Sequence, residues 1–208
     1  MTDDLETVDL WFDPVCPYSW TASRWLHEVA GRRPLTVRYH VMSLYLANEG
    51  RADVAPAYRR SVDDSRGPSR VFAAAATRFG EQVLEELYTA FGELVFDVWR
   101  RPTAQEYREV LHLALPRVGL PVELADAMES DAHDEEMRAS HDAGMALVGG
   151  DVGTPITSIG GTAFFGPVLN AIPRGEEALD VFEAARRLAR HPEFFELKRT
   201  RVRPPVFT

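Results

Sequence analysis

The strongest constraint on the fold is a β-α-β pattern near the N-terminus, with the only cysteine of the chain at its first junction. The apolar run 8–12 predicts a strand, and the spacing of apolar residues over 18–30 predicts a helix, which Gly31 ends. The alternating segment 35–44 predicts a second strand. Because a helix connects the two strands, we expect them to be parallel.

The segment Cys16-Pro17-Tyr18-Ser19 is typical of a reactive thiol. At the start of a helix, free backbone N–H groups and the positive end of the helix dipole favour a thiolate at Cys16. Pro17 suits the first helical turn, because its missing N–H has no partner there. Most lone cysteines are small buried hydrophobes, but this setting favours a nucleophile. Ser19 lies where a dithiol enzyme carries its second cysteine.

Composition limits the class of protein. With 208 residues, of which 45% are hydrophobic, the chain can bury the core of one domain, with or without a large insertion. The net charge of −9 argues against a nucleic-acid partner. No apolar stretch approaches the roughly 20 residues that span a bilayer, and the acidic start lacks the layout of a signal peptide. A lone cysteine excludes an internal disulfide, so we expect a cytoplasmic protein with no membrane partner.

The basic residues indicate the source genome. Arginine supplies 22 of the 23 basic residues, and Lys198 is the one lysine. Asparagine and isoleucine are also scarce. Because lysine, asparagine and isoleucine have AT-rich codons, we infer a bacterial genome of high GC content, which bears on the small thiol that the cell contains.

The middle of the chain is helical by pattern, and strand character returns after residue 150. Helices are predicted over 68–79, 81–98, 104–118, 122–128 and 131–148. Thr103 and Glu106 have the spacing of a capping box. Two apolar runs around Gly160-Gly161 predict a β-hairpin, and a final helix is predicted over 176–190.

This order of elements predicts an α/β fold with a thioredoxin-like core. Without the helical block, the order is β-α-β followed by β-β-α, which is that of the core. We therefore assign residues 1–50 and 150–208 to the core, and residues 51–149 to a large all-helical insertion.

The chain resembles the DsbA-like branch of the thioredoxin superfamily, and more closely the mycothiol-dependent nitroreductase group of that branch. The tetrad at 16–19, the segment Gly153-Thr154-Pro155 and the helical insertion carry the wider resemblance. The closer one is carried by WFDPVCPYSW (11–20), HVMSL (40–44), DVGTP (151–155), FFGPVL (164–169), IPRGEEA (172–178) and FFELKRTR (194–201). The low-molecular-weight thiol that the group implies is mycothiol, which agrees with the high-GC inference.

The resemblance implies a set of site residues. Cys16 matches the nucleophile, Pro155 matches the cis-proline that faces the active-site sulfur, and Thr154 would pair with a bound thiol through its backbone. The substrate pocket would be lined by Pro17, Tyr18, Trp20, Asn48 and Tyr58. The partners implied are a small-molecule thiol and a reducible electrophile such as a nitroaromatic or a quinone. A homodimer remains open, and the six histidines lack the spacing of metal ligands, so we expect no metal.

The tetrad departs from the Cys-Pro-Trp-Cys of the group at Tyr18 and Ser19. Without a second cysteine, no intramolecular disulfide can expel a mixed-disulfide partner, so a dithiol oxidase or isomerase is not expected. The remaining chemistry is monothiol: Cys16 is thiolated, and a second external thiol releases it. Ser19 would donate a hydrogen bond to the Cys16 thiolate and lower its pKa. A serine introduced to trap mixed disulfides is the other interpretation of Ser19.

Two further functions remain open. Kappa-class glutathione transferases and 2-hydroxychromene-2-carboxylate isomerases resemble this layout with a Ser-Pro-Tyr-Ser-like tetrad, in which a serine holds the thiolate of a bound thiol cofactor. Such a transferase or isomerase is the first alternative. A binding protein that lost its redox function together with the second cysteine is the other.

A basic tail follows the last predicted helix in this acidic chain. It contains Lys198, Arg199, Arg201 and Arg203. Such charges are usually solvated or paired within the molecule. A clamp for an anionic substrate is the alternative.

Overall fold

A computed structural model describes residues 5–51, 53–96 and 102–207. Its sheet has the strand order β2-β1-β3-β4. The strands are β1 (Glu6–Phe12), β2 (Leu35–Val41), β3 (Ile156–Ile159) and β4 (Thr162–Phe165). Strands β1 and β2 are parallel, whereas β3 is antiparallel to both β1 and β4. The predicted parallel pair and the predicted hairpin are therefore confirmed.

The turn of the hairpin depends on two glycines. Gly160 and Gly161 have φ angles of 57° and 85°. A two-residue turn that matches the twist of the strands needs positive φ at both positions, where glycine has no steric penalty.

Two helices pack together beside this sheet. Helix α1 (Pro17–Ala30) connects β1 to β2, and α7 (Gly175–Ala189) follows β4. The indole N–H of Trp25 donates to the Ala178 carbonyl at 2.9 Å, and the ring centroids of Trp25 and Phe182 lie 5.9 Å apart. These contacts hold α1, the helix that Cys16 precedes, against α7.

The described part of the segment between β2 and β3 contains helices joined by loops, and no strand. Its helices are α2 (Leu44–Ala47), α3 (Pro56–Phe79), α4 (Leu84–Phe96), α5 (Ala104–Arg117) and α6 (Asp134–Val148), with 3₁₀ helices at Glu81–Val83 and Val122–Glu129. The predicted capping box of Thr103 and Glu106 is present at the start of α5. The end of the helix predicted over 81–98 lies outside the described residues.

Several predicted boundaries are wrong. The second strand ends at Val41 instead of continuing to residue 44, and α6 begins at Asp134 instead of residue 131. The helix predicted to start at Pro68 begins twelve residues earlier and continues through this proline. Packing overrides the break, because Pro68 is buried and a Cβ at Gly67 would lie 2.7 Å from Cε of Met128.

One hydrophobic cluster joins the sheet, α1 and the inserted helices. The Phe12 ring of β1 stacks on Tyr88 of α4 at 4.2 Å between centroids. The Trp20 ring of α1 stacks on Phe96 of α4 at 5.3 Å. A Cβ at Gly92 of α4 would lie 2.2 Å from the Trp20 ring. Helix α4 therefore supports the first turns of α1 directly.

We expect G92A to destabilise the protein by about 1–3 kcal/mol, because the added methyl group overlaps the buried Trp20 ring. G150A is the matched control, since a Cβ at Gly150 meets no atom within 4 Å, and its effect should stay within about 0.5 kcal/mol. Urea unfolding measures both. Equal free energies of unfolding for the two variants would show that α4 does not pack on α1 as described.

Candidate active site

Cys16 is the residue that immediately precedes α1. Its backbone is extended, with φ −77° and ψ 117°, and the next residue begins the helix. Its N–H donates to the Asp13 carbonyl at 3.1 Å, and its carbonyl accepts the Trp20 N–H at 3.0 Å. The residue is 4% exposed. The sulfur therefore lies at the positive end of a 14-residue helix, but almost out of contact with water.

Thr154 contacts both Cys16 and Ser19, although it is more than 130 residues away in the chain. The Cys16 sulfur lies 3.6 Å from the Thr154 carbonyl oxygen, so the thiol donates to this carbonyl. The hydroxyl oxygens of Ser19 and Thr154 lie 2.7 Å apart. The peptide bond between Thr154 and Pro155 is cis. The structure thus brings Cys16, Ser19, Thr154 and Pro155 together.

Burial has the largest influence on the Cys16 thiol. It raises the pKa of Cys16 above its ordinary value, because a buried thiolate loses its hydration. A hydrogen bond from the Thr154 side chain lowers this pKa, the charge of Asp13 raises it, and the hydrogen bonds with Ser19 lower it. The Ser19 hydrogen bond acts in the predicted direction, but the net pKa is raised, since desolvation outweighs the donors around the sulfur.

Asp13 is a buried acid that the sequence analysis did not single out. It has no exposed surface, and its two carboxylate oxygens accept the N–H groups of Val15 at 2.8 Å and Leu44 at 2.6 Å. Burial nevertheless raises the pKa of Asp13 to about 7. The sequence signal for this residue is its place, since it is a carboxylate directly between the apolar first strand and the tetrad. Asp13 therefore fixes the loop that precedes Cys16, and it bonds this loop to the start of α2.

Asn48 and Tyr58 lie near the same site. Asn48 ends α2 and donates through Nδ2 to the Leu44 carbonyl at 2.8 Å. Tyr58, near the start of α3, is 41% exposed. Burial raises the pKa of Tyr58, a hydrogen bond with Asn48 lowers it, and the charge of Cys16 raises it. Tyr58 is therefore a half-open side chain of the insertion within electrostatic reach of Cys16.

The three residues that follow Cys16 in the predicted pocket have different positions. Pro17 begins α1, and Tyr18 is partly buried with the Arg201 guanidinium over its ring. Trp20 is only 5% exposed and packs in the aromatic core against Tyr88 and Phe96. Trp20 therefore packs α1 against the aromatic core and does not line an open pocket, contrary to the prediction.

The part of the chain that the structure describes contains no group of three or more His, Cys, Asp or Glu side chains that could hold a metal ion. Among its helices, none combines the length and the apolar character that crossing a bilayer requires.

Comparison with known proteins identifies relatives along most of the chain. Residues 15–199 match the family described as Rv2466c-like, mycothiol-dependent nitroreductase Rv2466c. The uncharacterized protein Rv2286c of Mycobacterium tuberculosis (strain ATCC 25618 / H37Rv) is 30% identical over 198 residues, which cover 94% of this chain and 82% of that protein.

Solved structures show the same fold at low sequence identity. A 2-hydroxychromene-2-carboxylate isomerase has a TM-score of 0.56 and 18% identity, with 88% of this chain and 96% of that chain covered. A probable DsbA oxidoreductase, SCO1869 from Streptomyces coelicolor, has a TM-score of 0.53 and 17% identity, with coverages of 95% and 94%. The predicted thioredoxin-like, DsbA-type fold with a helical insertion is thus confirmed.

We expect the raised pKa of Asp13 to make stability depend on pH. The folded protein keeps this proton up to about pH 7, whereas the unfolded chain loses it near pH 4. Raising the pH through this window therefore destabilises the wild type relative to D13N, by up to about 4 kcal/mol. Urea unfolding between pH 4 and pH 8 measures the difference. The exposed control D151N should show the same pH dependence of the free energy of unfolding as the wild type. The same pH dependence in D13N would contradict the raised pKa of Asp13.

The thiol of Cys16 should be alkylated by iodoacetamide with an apparent pKa above the ordinary value of about 8.5. D13N should move this pKa down, because it removes a nearby negative charge. T154V should move it up, because it removes a hydroxyl donor. Mass spectrometry of the single-cysteine protein gives the rates. An apparent pKa below 8 in the wild type would contradict the described burial.

Proposed function

The chain belongs to the Rv2466c-like family of mycothiol-dependent nitroreductases and is a thiol-dependent oxidoreductase, and we propose that it works through the single sulfur of Cys16. The observation that carries this proposal is the contact of Cys16 and Ser19 with Thr154. A hydroxyl occupies the place of a second sulfur, so the resolving thiol must come from solution. We propose that this thiol is mycothiol.

The electron balance sets the steps. A two-electron acceptor such as a quinone takes two electrons and two protons from the Cys16 thiol and one external thiol, which become a mixed disulfide. A second external thiolate then attacks the outer sulfur of that disulfide, which regenerates Cys16 and releases the oxidised thiol. A nitroaromatic accepts the same two electrons and leaves as the nitroso compound and water.

The described residues contribute to these steps in different ways. Cys16 must lose the proton that it donates to the Thr154 carbonyl, and the side chain of Thr154 together with the backbone and side chain of Ser19 can donate to the resulting thiolate. Once the sulfur is in a mixed disulfide, the Thr154 carbonyl is free to accept an N–H of the bound thiol. Asp13 acts as a positioning residue, since it holds the N–H of Val15 in the loop before the nucleophile.

The position of Tyr58 suggests where the substrate binds. Its half-exposed phenol belongs to the insertion, whereas Cys16 and Thr154 belong to the core. We place the thiol and the electrophile between them, with Asn48 fixing the phenol. Pockets commonly form at such junctions. The polar lining of Asn48 and Tyr58 is suited to a hydroxyl-rich thiol such as mycothiol.

The same proposal extends to organisation and location. We propose residues 1–50 and 150–208 as the thioredoxin-like core, with residues 51–149 as its insertion. We also propose a cytoplasmic location in a bacterium, where a small thiol is kept reduced and can regenerate Cys16.

A second function is favoured by the pKa of Cys16. Because burial raises this pKa, Cys16 can remain a thiol while it and Ser19 act as hydrogen-bond donors to the thiolate of a bound cofactor. The protein would then be a transferase or isomerase of the kind represented by the 2-hydroxychromene-2-carboxylate isomerase, whose fold is similar.

One introduced cysteine separates the two functions. Incubation with oxidised mycothiol should give the wild type a lasting mixed-disulfide adduct, visible by intact mass. In S19C the new thiol should expel the bound mycothiol and leave a disulfide between positions 16 and 19. S19A is the control, because it loses the hydroxyl without gaining a sulfur and should retain the adduct.

The opposite results are equally clear. Absence of any adduct on the wild type at alkaline pH, while an electrophile is consumed in the presence of mycothiol, would favour the transferase or isomerase. Equal loss of the adduct from S19A and S19C would contradict the role given to the second position.

A further inference from the structure

The C-terminal tail, residues 190–207, contains neither helix nor strand, but it is attached to the protein near α1. The Val206 N–H donates to the Asn170 carbonyl at 2.7 Å, and Nδ2 of Asn170 donates to the Pro204 carbonyl at 3.0 Å. The Phe207 ring lies 5.2 Å from the Phe96 ring, which in turn stacks on Trp20. The tail therefore has a defined course beside the helix that Cys16 precedes.

Arg201 lies over the first turn of that helix. Its guanidinium carbon is 5.1 Å from the centroid of the Tyr18 ring, and Tyr18 is two residues from Cys16. The loop to which the tail is bonded contacts the same turn, because the Thr21 hydroxyl donates to the Leu169 carbonyl at 2.9 Å. This arrangement places a cation over the ring of Tyr18, two residues along the chain from the proposed nucleophile.

The charge of Arg201 has no carboxylate partner within salt-bridge distance among the described residues. Many other arginines of the chain pair with Asp or Glu, as Arg38 does with Asp9 and Arg70 with Asp134. Stacking on a ring uses only the face of a guanidinium, so its five N–H donors remain directed outward at the edge. A planar fork of this kind matches a carboxylate.

We propose that Arg201 is a specificity-determining residue that binds the anionic group of an aromatic electrophile while Cys16 reacts. The aromatic part of the substrate lies along Tyr18, and its carboxylate pairs with the edge of the guanidinium. This inference rests on the proposed function of Cys16. It assigns to the basic tail the clamp that the sequence left as an alternative.

Two aromatic disulfides of different charge test the proposal. Dithiobis(nitrobenzoic acid) carries a carboxylate on each ring, whereas dithiodipyridine is neutral at pH 8. With each reagent the Cys16 thiolate attacks one sulfur, forms a mixed disulfide and releases the aromatic thiolate, which is followed by absorbance. Because Cys16 is the only cysteine, the second-order rate constant reports on this site alone.

We expect R201Q to lower the ratio of the two rate constants, anionic over neutral, by about three- to fivefold, the size of one exposed charge pair. R203Q is the matched control, since it makes the same charge change two residues away and should leave the ratio nearly unchanged. R201K should give an intermediate ratio, because lysine keeps the charge and loses the fork.

Three results would overturn the proposal. An equal decrease of the ratio in R201Q and R203Q would indicate that the summed positive charge of the tail, and not Arg201 itself, attracts the anionic reagent. Equal slowing of both reagents by R201Q would indicate a structural role only. If neither reagent modifies Cys16 in the wild type, the proposed function itself fails, and the inference about Arg201 fails with it.

Discussion

The site depends on one buried contact between distant segments of the chain. The first turn of α1 meets Thr154 just before β3, where a thiol donates to a carbonyl and two hydroxyls lie 2.7 Å apart. Neither segment could form this arrangement alone. The strand order brings Thr154 close to Cys16, because β3 lies beside β1. The pairing of Trp11 with Ile156 fixes the register of these two strands. Much of what distinguishes this sulfur from an ordinary buried cysteine therefore comes from the sheet.

Local signals in the sequence were enough to predict the fold class. The apolar run before Cys16, the alternating second strand and the Gly160-Gly161 turn each have a short-range cause, and the structure reproduces the elements that they predict. Helix ends were harder to predict. Pro68 should end a helix by its own chemistry, but it lies inside α3 because tertiary packing compensates for the lost hydrogen bond.

The environment of the site residues could not be predicted in the same way. The sequence shows that Cys16 lies at the start of a helix, but it does not show how deeply the sulfur is buried, and this burial decides the direction of its pKa. The role of Asp13 has the same origin, since only the fold buries this carboxylate completely. Trp20 was expected beside the substrate, and the structure places its ring in the core.

The hydroxyl of Ser19 has a consequence for how such sites diverge. It is fully buried and already bonded, so the space for a side chain of this size exists at the second position of the tetrad. Serine and cysteine differ by one atom, and their codons can differ by one base. One substitution at this position could therefore convert an enzyme that needs an external resolving thiol into one with an internal resolving cysteine, with the same fold. The cost of the change would be the hydrogen bond to Thr154.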